Sequence, residues 1–386
     1  MGERLSKTLI YAHIDADGVL SARLAQKVLL SGSYNPKHEI IFQKWYKFGI
    51  DEEDIKLIMQ KDPASVYVLD LGADESTLTN LSTLAELDIP VTVIDNHPPK
   101  DKTLIPKFVR DNFTIDSRNT NCTTGILYEK YKEDLDEWGD IWAALAIYGD
   151  VANESEEGKP MLDEILNAHP LLAGDALSWS KGEEGKFGTK AYGILGLLSG
   201  YFNTPRRIAR HYGAYTGLRM AQEVEQSGDL TLLLRDLSIS EQALYPATHL
   251  VKQWKDEFSR TWTDVFKADN IRFWDMGKFT VSVINHQWNI ASQVANIKKG
   301  EKFKVGDTYV AKPHFCINTL PADGYITIGA RRPDDSDMDL GAVLESIEVA
   351  TNGRITGGGL PMAASGHAPV GTNIYEIINL LIQSID

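Results

Sequence analysis

Acidic residues follow three apolar runs near the start of the chain, and this placement is typical of a metal site. Asp15 and Asp17 follow the first run, Asp70 ends the second and Asp95 ends the third. Each run has the composition of a buried parallel strand, and the carboxyl ends of parallel strands line the ligand crevice of an open α/β sheet. One strand that ends in aspartate is common, but three together predict a divalent-cation site.

Imidazole groups and a further carboxylate accompany these aspartates. His13 precedes Asp15, His97 follows Asp95, and Asp150 ends the apolar segment WAALAIYGD. Oxygen and imidazole ligands without thiolate favour Mn²⁺ or Mg²⁺ over a structural zinc site. Two such ions about 3.5 to 4 Å apart would activate water and hold a phosphoryl group. The candidate metal ligands are His13, Asp15, Asp17, Asp70, His97 and Asp150.

Each candidate also has a simpler interpretation when it is taken alone. An aspartate after a strand is most often a helix cap or part of an Asx turn, and this applies to Asp70 and Asp150. His13 alone could be a hydrogen-bonded core histidine. The order of the whole set along the chain favours the metal site over capping.

The composition describes an ordinary globular protein. The chain has 386 residues, of which 43% are apolar and 24% charged, and this length allows two or three domains. Two cysteines without CxxC spacing support neither a disulfide framework nor a zinc ribbon. No run is long and apolar enough for a membrane helix, and the start MGERLSK lacks the apolar stretch of a signal peptide. We therefore expect a soluble cytoplasmic protein.

A net charge of -15 argues against sequence-blind adhesion to nucleic acid over a broad surface. That binding mode requires basic groups that release counterions from phosphates. We therefore expect any polyanionic substrate to meet a local basic groove or a bound metal.

The order of apolar patterns predicts an α/β protein in three parts. Residues 1–160 alternate short strands with helices, which indicates a parallel-sheet domain. Residues 161–267 form a helical connector, and residues 268–386 return to strands as a smaller α/β domain. The predicted helices of the first part are 18–30, 52–60, 78–87, 123–131 and 141–148. Those of the later parts are 192–201 and 374–385, and the predicted later strands are 279–284, 307–318 and 325–330.

Four short motifs resemble, in order, those of the DHH phosphoesterase superfamily. They are HIDADG (13–18), LDLG (69–72), DNHPP (95–99) and GDVAN (149–153). CTTGILYEKY (122–131) is similar to the start of the helix that follows the signature in that family. ITIGARRPDDSDMDLG (326–341) and GGGLPMAASG (357–366) are similar to the DHH-associated C-terminal domain.

The resemblance implies an activity and a cofactor. In such a family member Asp15, Asp17, Asp70 and Asp150 ligate a manganese pair that Asp70 bridges. His97 places or polarises the substrate, and Asp95, Asn96 and His97 form the catalytic signature. The size of the chain is closer to that of the RecJ-type exonucleases than to that of the compact nanoRNases.

Three departures from the family pattern affect these implied roles. Asn96 stands where the signature has a histidine ligand, so the second ion is expected to bind weakly or not at all. Several members carry the ligand histidine four residues before Asp15, where Tyr11 stands here. Leu360 replaces the histidine of the GGGH motif, and His367 is either its substitute or a surface residue.

Several residues are candidates for holding a phosphate. Arg331 and Arg332 end a predicted strand on opposite faces, and arginine offers phosphate a planar fork of donors. Gly357, Gly358 and Gly359 allow close approach of backbone amides, unless they only form a tight turn. The basic cluster Arg206, Arg207, Arg210 and His211 is either a solvated helix face or a grip on a nucleic-acid backbone. The amides of Thr123 and Thr124 attract an anion if these residues begin a helix.

The leading hypothesis is a Mn²⁺-dependent phosphodiesterase that acts on single-stranded nucleic acid or short oligonucleotides. Its active site is expected in the cleft between the N-terminal sheet and the C-terminal domain. The alternative is a catalytically weakened scaffold subunit with replication or repair proteins as partners, like the eukaryotic replisome factor that descends from this family. A pyrophosphatase or polyphosphatase would share the same metal chemistry.

Overall fold

The computed structural model describes most of the chain and divides it into two compact units, Met1–Asp256 and Glu257–Asp386. Each unit has a hydrophobic core of its own. The described residues are 7–31, 37–44, 49–99, 101, 103–119, 121–150, 152–174, 193–267, 271–287, 290–299, 301–305, 308–319, 325–333 and 335–385.

The first unit contains a five-stranded sheet in which all strands are parallel. The strands are β1 (Lys7–Ala12), β2 (Lys37–Phe42), β3 (Ser65–Leu69), β4 (Val91–Asp95) and β5 (Phe113–Ser117). Their order is β2-β1-β3-β4-β5, so the direction of winding reverses between β1 and β3. Such a reversal opens a crevice at the carboxyl ends of the two strands, and the sequence places His13, Asp15 and Asp70 there.

Helices connect the strands and continue beyond them. They are α1 (Ala16–Ser31), α2 (Glu52–Gln60), α3 (Glu75–Glu86), α4 (Leu104–Phe108), α5 (Thr123–Tyr131), α6 (Glu137–Gly149), α7 (Gly158–Ala168), α8 (Pro170–Ala173), α9 (Ile194–Ser227), α10 (Ile239–Leu244) and α11 (Pro246–Lys267). The predicted bounds of α2 and α5 are confirmed. α3 and α6 begin earlier than predicted because Asp74 and Asp136 cap them by accepting backbone N–H groups.

The long helix α9 of the predicted connector belongs to the core of the first unit. Leu198, Phe202 and Val224 share that core with side chains of α1 and α6. The helix is kinked at Arg210, which has a φ of 53°. A Cβ on Gly213 would lie 2.1 Å from the carbonyl oxygen of Pro205, so only glycine allows the two halves to approach this closely.

The second unit contains a mixed six-stranded sheet and a two-stranded hairpin. Its elements are β6 (Arg272–Asp275), β7 (Thr280–Ile284), α12 (Ala291–Lys298), β8 (Lys302–Val305), β9 (Thr308–Ala311), β10 (His314–Asn318), β11 (Tyr325–Arg331), α13 (Leu340–Ala350), β12 (Thr356–Leu360), β13 (Ala363–Pro369) and α14 (Ile374–Ile385). The sheet order is β12-β13-β11-β10-β7-β6.

The predictions for the second unit hold apart from one strand. The helix 374–385 is confirmed as α14. The predicted strand 307–318 is two strands, β9 and β10, which are separated at Lys312 and Pro313. Proline lacks the N–H that a continuous ladder needs, which explains the break.

Candidate metal centre

The loops that follow β1 and β3 bring together the first group of predicted ligands. The backbone N–H of His13 donates to the carbonyl of Leu69 at 3.2 Å, and that of Asp70 donates to Ile94 at 3.1 Å. Asp70 has a φ of 61°, a left-handed conformation that aspartate tolerates better than most residues. These contacts extend the parallel pairing just past the strand ends and turn the side chains into the crevice.

His13, Asp15 and Asp70 form a compact group of donors. The Nδ1 atom of His13 lies 3.2 Å from Asp15 Oδ2 and 3.5 Å from Asp70 Oδ2. One donor atom from each of the three residues lies within 4.8 Å of the others, which is close enough to hold one ion. These three predicted ligands are therefore close enough to share one ion, and their role as ligands stays a prediction.

Asp70 contributes a buried oxygen atom that accepts no hydrogen bond from the described residues. Its side chain is buried, and its Oδ2 atom has no hydrogen-bond partner among the described residues. Burial, together with the charges of Asp15, Asp17 and Asp150, raises the pKa of Asp70 well above its usual range. A buried carboxylate oxygen without a donor is costly, and a divalent cation is the group that best removes that cost.

Arg206 of α9 contacts the same group, which the sequence did not indicate. Its Nη1 atom donates to Asp15 Oδ2 at 3.0 Å. Burial alone would raise the pKa of the Asp15 carboxyl, but His13 and Arg206 together hold it well below its usual range. The interpretation of Arg206 as part of a solvated helix face is therefore wrong, because its guanidinium lies at the candidate metal site.

Asp17 lies in a different environment, although only one residue separates it from Asp15. Its carboxylate accepts the backbone N–H groups of Thr123 and Thr124, both at 2.8 Å, and the Thr124 hydroxyl at 2.5 Å. These residues begin α5, so the anion at that helix N-terminus is a carboxylate of the protein itself. Burial and the nearby Asp15 raise the pKa of Asp17 in spite of these donors.

Asn96 and Asp150 form a hydrogen-bonded pair. The Nδ2 atom of Asn96 donates to Asp150 Oδ2 at 2.7 Å, and the Thr123 hydroxyl donates to Asn96 Oδ1 at 2.9 Å. Asp150 follows α6 directly, and burial followed by the charges of Asp17 and Asp15 raises its pKa well above the usual range. The Asn96 amide thus uses its donor on Asp150 and its acceptor on Thr123.

Asp95 and His97 complete a second group of donors with Asp70. His97 Nδ1 lies 3.1 Å from Asp95 Oδ1 and 3.7 Å from Asp70 Oδ1. Asp95 is fully buried, and its carboxylate also accepts the N–H groups of Gly72 at 3.1 Å and of His97 at 2.9 Å. Desolvation lowers the pKa of His97, but the adjacent Asp95 outweighs it and raises the pKa to about 9.

The predicted substrate-binding arginines lie at the end of β11 in the second unit. Arg331 Nη1 donates to the carbonyl of Ala330 at 2.7 Å, and the backbone N–H of Arg332 donates to Met362 at 3.3 Å. The Nε atom of Arg332 is buried without a hydrogen-bond partner among the described residues. No phosphate site is defined by these contacts, so the role of both arginines stays a prediction.

The triple glycine lies within a strand and not in a tight turn. Gly357, Gly358 and Gly359 belong to β12, which pairs with β13. A Cβ on Gly357 would lie 2.9 Å from Leu344 Cβ, and a Cβ on Gly341 would lie 2.2 Å from the Gly359 carbonyl oxygen. Packing against α13 therefore accounts for Gly357, and a φ of 134° with close contact to β13 accounts for Gly359, whereas a Cβ on Gly358 would meet only ordinary contacts. Contact of these glycines with a phosphate stays a prediction.

His367 is buried on β13, opposite Thr327 of β11 and Thr356 of β12. Its interpretation as a surface residue is therefore wrong. The two cysteines, Cys122 and Cys316, are both buried and form no disulfide. The glycine-rich segment 181–188 and Trp288 lie outside the described residues.

Solved structures share the architecture described above. A DHH-domain protein from a family of ribosomal proteins has a TM-score of 0.64 at 13% identity, with 98% of this chain and 86% of that chain covered. Exonuclease RecJ bound to manganese has a TM-score of 0.58 at 14% identity, with 99% and 91% covered. This chain has the RecJ-like DHH fold.

The RecJ-like DHH fold is thus established by structure at low sequence identity. RecJ from Thermus thermophilus in complex with Mn²⁺ has a TM-score of 0.59 at 15% identity, with 99% of this chain and 52% of that chain covered. No family model and no curated protein matches the sequence. Within the described part of the chain, no helix combines the length and apolarity needed to cross a membrane.

Proposed function

We propose that this protein is a metal-dependent phosphoesterase that hydrolyses phosphodiester bonds of single-stranded nucleic acid or short oligonucleotides. The observation that carries the proposal is the buried Asp70 Oδ2, which lies 3.5 Å from His13 Nδ1 and has no hydrogen-bond partner within the described part of the chain. Oxygen and imidazole donors of this kind suit Mn²⁺ or Mg²⁺. The RecJ-like fold and the manganese in the RecJ structures support the same assignment.

The residues of the crevice have separate roles in such a reaction. His13, Asp15 and Asp70 would hold the ion, which would supply a Lewis acid for the activation of water and positive charge for the phosphoryl group. Arg206 keeps a fixed positive charge beside Asp15, where a phosphate oxygen would arrive. His97 is half exposed, and the adjacent Asp95 raises its pKa, which favours a protonated ring that is able to donate to a phosphate or a leaving oxygen.

We assign substrate contacts to the second unit, as the resemblance to the DHH-associated domain implies. The residues are Arg331, Arg332, Gly357, Gly358, Gly359 and His367. Because the net charge of the chain is -15, recognition of a polyanion has to come from a few arginines and the bound ion. This assignment predicts a weak dependence of the binding constant on salt concentration, because the slope scales with the number of phosphate contacts and these are few.

The test is hydrolysis of a 5′-labelled single strand and of a dinucleotide with Mn²⁺, compared with Asp70→Ala. We expect metal-dependent cleavage by the wild type and a loss of more than about 100-fold in Asp70→Ala, since even outer partners of metal ligands contribute roughly 10- to 100-fold. Asp116→Ala, a partly buried aspartate on β5, is the matched control. Equal rates in the wild type and Asp70→Ala would refute the proposal, and cleavage of pyrophosphate or polyphosphate alone would replace the substrate class.

A second candidate function is that of a binding or scaffold subunit with little catalysis. It is favoured by Asn96, which bonds to Asp150 and Thr123 in the place where the family signature has a ligand histidine. The scaffold candidate predicts single-strand binding that does not change when Mn²⁺ is removed by EDTA. The phosphoesterase proposal predicts that the protein cleaves the single strand and that EDTA abolishes this cleavage.

A further inference from the structure

The carboxylates of the crevice differ in the kind of donor that they already accept: Asp15 accepts mainly from side chains, and Asp17 accepts two backbone amides of a helix. We propose that this protein holds a single divalent ion, on His13, Asp15 and Asp70, and that hydrogen bonds within the chain take the place of a second ion. The inference rests on the proposed function for the identity of the site. It concerns the number of ions, and so it is tested without measuring hydrolysis.

Asp17 is a carboxylate that the chain itself satisfies. It accepts two backbone N–H groups and one hydroxyl from Thr123 and Thr124, all within 2.8 Å. Both of its oxygens are used, and both amides belong to the first turn of α5. An ion that displaced either amide from Asp17 would leave a helix N-terminal N–H group without its acceptor, at a cost of about 1–3 kcal/mol for each group.

Asp150 also accepts a hydrogen bond from the chain, on one of its two oxygens. Asn96 donates to its Oδ2 atom at 2.7 Å, and Thr123 holds the Asn96 amide in that orientation by donating to its oxygen at 2.9 Å. The amide therefore presents N–H₂ to Asp150 and has its oxygen occupied. An N–H₂ group cannot ligate a cation, so Asn96 acts at this place as a neutral substitute for one.

In the group of Asp70, Asp95 and His97, the Asp95 carboxylate also accepts its hydrogen bonds from the protein. Asp95 is fully buried and accepts from Gly72 and His97 within 3.1 Å, and the Ser117 hydroxyl lies 3.5 Å from its Oδ2 atom. These contacts join the ends of β3, β4 and β5, which is a structural role. His97 donates to Asp95 from the same ring nitrogen that faces Asp70.

The group of His13, Asp15 and Asp70 is the one that still offers an oxygen to an ion, and this oxygen belongs to Asp70. Its Oδ2 atom has no hydrogen-bond partner among the described residues, while His13 and Asp15 offer donor atoms within 4.8 Å. Arg206 adds a positive charge that the chain keeps in place at Asp15. One divalent ion and the Arg206 guanidinium together place three positive charges at this group, compared with four for a pair of ions.

The ion count of the full-length protein tests this inference. The protein is dialysed against Mn²⁺, and bound metal is measured by elemental analysis and by native mass spectrometry. We expect one Mn²⁺ per chain and the six-line spectrum of an isolated Mn²⁺ in electron paramagnetic resonance. Two ions per chain with the broadened spectrum of a coupled pair would overturn the inference, and so would one ion that survives in His13→Ala.

Two variants test the role of Asn96. Asn96→His adds a ligand and removes the amide donor, and we expect the count to rise from one ion to two. Asn96→Asp is nearly isosteric and should show the same rise if the histidine ring does not fit. Asn112→His, at a site whose amide bonds to the Ala85 carbonyl, is the control and should keep one ion.

The outcomes separate this inference from the proposed function. A count that stays at one in both folded Asn96 variants contradicts the role given to Asn96. One ion without any hydrolysis rejects the phosphoesterase proposal and leaves the single-ion site intact. Hydrolysis by the wild type that requires two ions supports the phosphoesterase proposal and rejects the single-ion site.

Discussion

Asp15 and Asp17 are two residues apart, and their carboxylates accept hydrogen bonds from different parts of the first unit. Asp15 accepts from a histidine and an arginine and shares its surroundings with an oxygen of Asp70 that has no donor among the described residues. Asp17 accepts two amides and a hydroxyl from the start of α5. The same residue type is therefore suited to metal binding at one position and to fixing a helix at the other.

The difference teaches that the supply of backbone donors decides the role of a buried carboxylate. A helix N-terminus offers amides without internal partners, and a carboxylate placed there is satisfied by the protein alone. The turn after β1 gives Asp15 one amide, that of Gly18 at 3.0 Å from Oδ1, and leaves Oδ2 to side chains. Side chains are able to move away from a carboxylate when an ion arrives, whereas amides of a packed helix are not.

The largest expected effect comes from exchanging these two aspartates for asparagine. Asp15→Asn should lower Mn²⁺ affinity by more than about 100-fold, given that outer partners alone contribute roughly 10- to 100-fold. Asp17→Asn should lower the free energy of unfolding by about 1–3 kcal/mol, because its N–H₂ group would face an amide of Thr123 or Thr124. Calorimetric titration with Mn²⁺ and urea unfolding in EDTA measure the two quantities.

Asp15→Asn and Asp17→Asn serve as controls for each other. If Asp17→Asn loses Mn²⁺ as completely as Asp15→Asn and unfolds at the same urea concentration as the wild type, the assignment of roles is reversed. If Asp15→Asn keeps its Mn²⁺ affinity, the group of His13, Asp15 and Asp70 is not the metal site.

A smaller effect is expected from Arg206, whose charge competes with an ion at Asp15. Arg206→Gln should tighten Mn²⁺ binding by about tenfold at low salt, since removing one nearby positive charge is worth on the order of 1–2 kcal/mol when partly screened. The same variant should raise the KM for an oligonucleotide if the guanidinium contacts phosphate. Calorimetry and steady-state kinetics at two salt concentrations check both expectations.

Arg219→Gln is the matched control for this prediction. It removes the same charge from the same helix, at an exposed residue whose guanidinium lies 3.8 Å from the Glu223 carboxylate. Equal Mn²⁺ affinities for Arg206→Gln and Arg219→Gln would show that Arg206 does not influence the ion.

The contrast also shows which parts of the site were predictable from the sequence. The parallel sheet followed from continuous apolar runs, and the position of Asp15 and Asp70 followed from where those runs end. The separation of Asp15 from Asp17 did not, because it depends on α5, whose first turn lies more than a hundred residues along the chain. Interactions between distant segments leave no periodic pattern in the sequence.

Arg206 is the clearest case of such a limit. In the sequence it is one of several basic residues, which is the usual appearance of a solvated helix face. Only the packing of α9 against α1 and the kink at Arg210 bring its guanidinium to Asp15. A signal was present in the unusual combination of Pro205 and Gly213 around a basic cluster, because proline and glycine within one helix indicate a bend.

The smallest expected effect concerns His97 and the adjacent Asp95. In the metal-free protein the pKa of His97 is raised to about 9, from an ordinary value near 6.5. A pKa that is higher in the folded state contributes stability that is complete below about pH 6.5 and is lost as the pH rises through about 9. Because His97 is half exposed, solvent screening reduces this contribution to about 1 kcal/mol. His97→Gln in EDTA should therefore flatten the fall in unfolding free energy between these two pH values, whereas His249→Gln on α11 should not. Equal slopes of unfolding free energy against pH for the wild type and His97→Gln would mean that the imidazole is not stabilised by Asp95. The Asp95 carboxylate would then be held by the backbone amides of Gly72 and His97 alone.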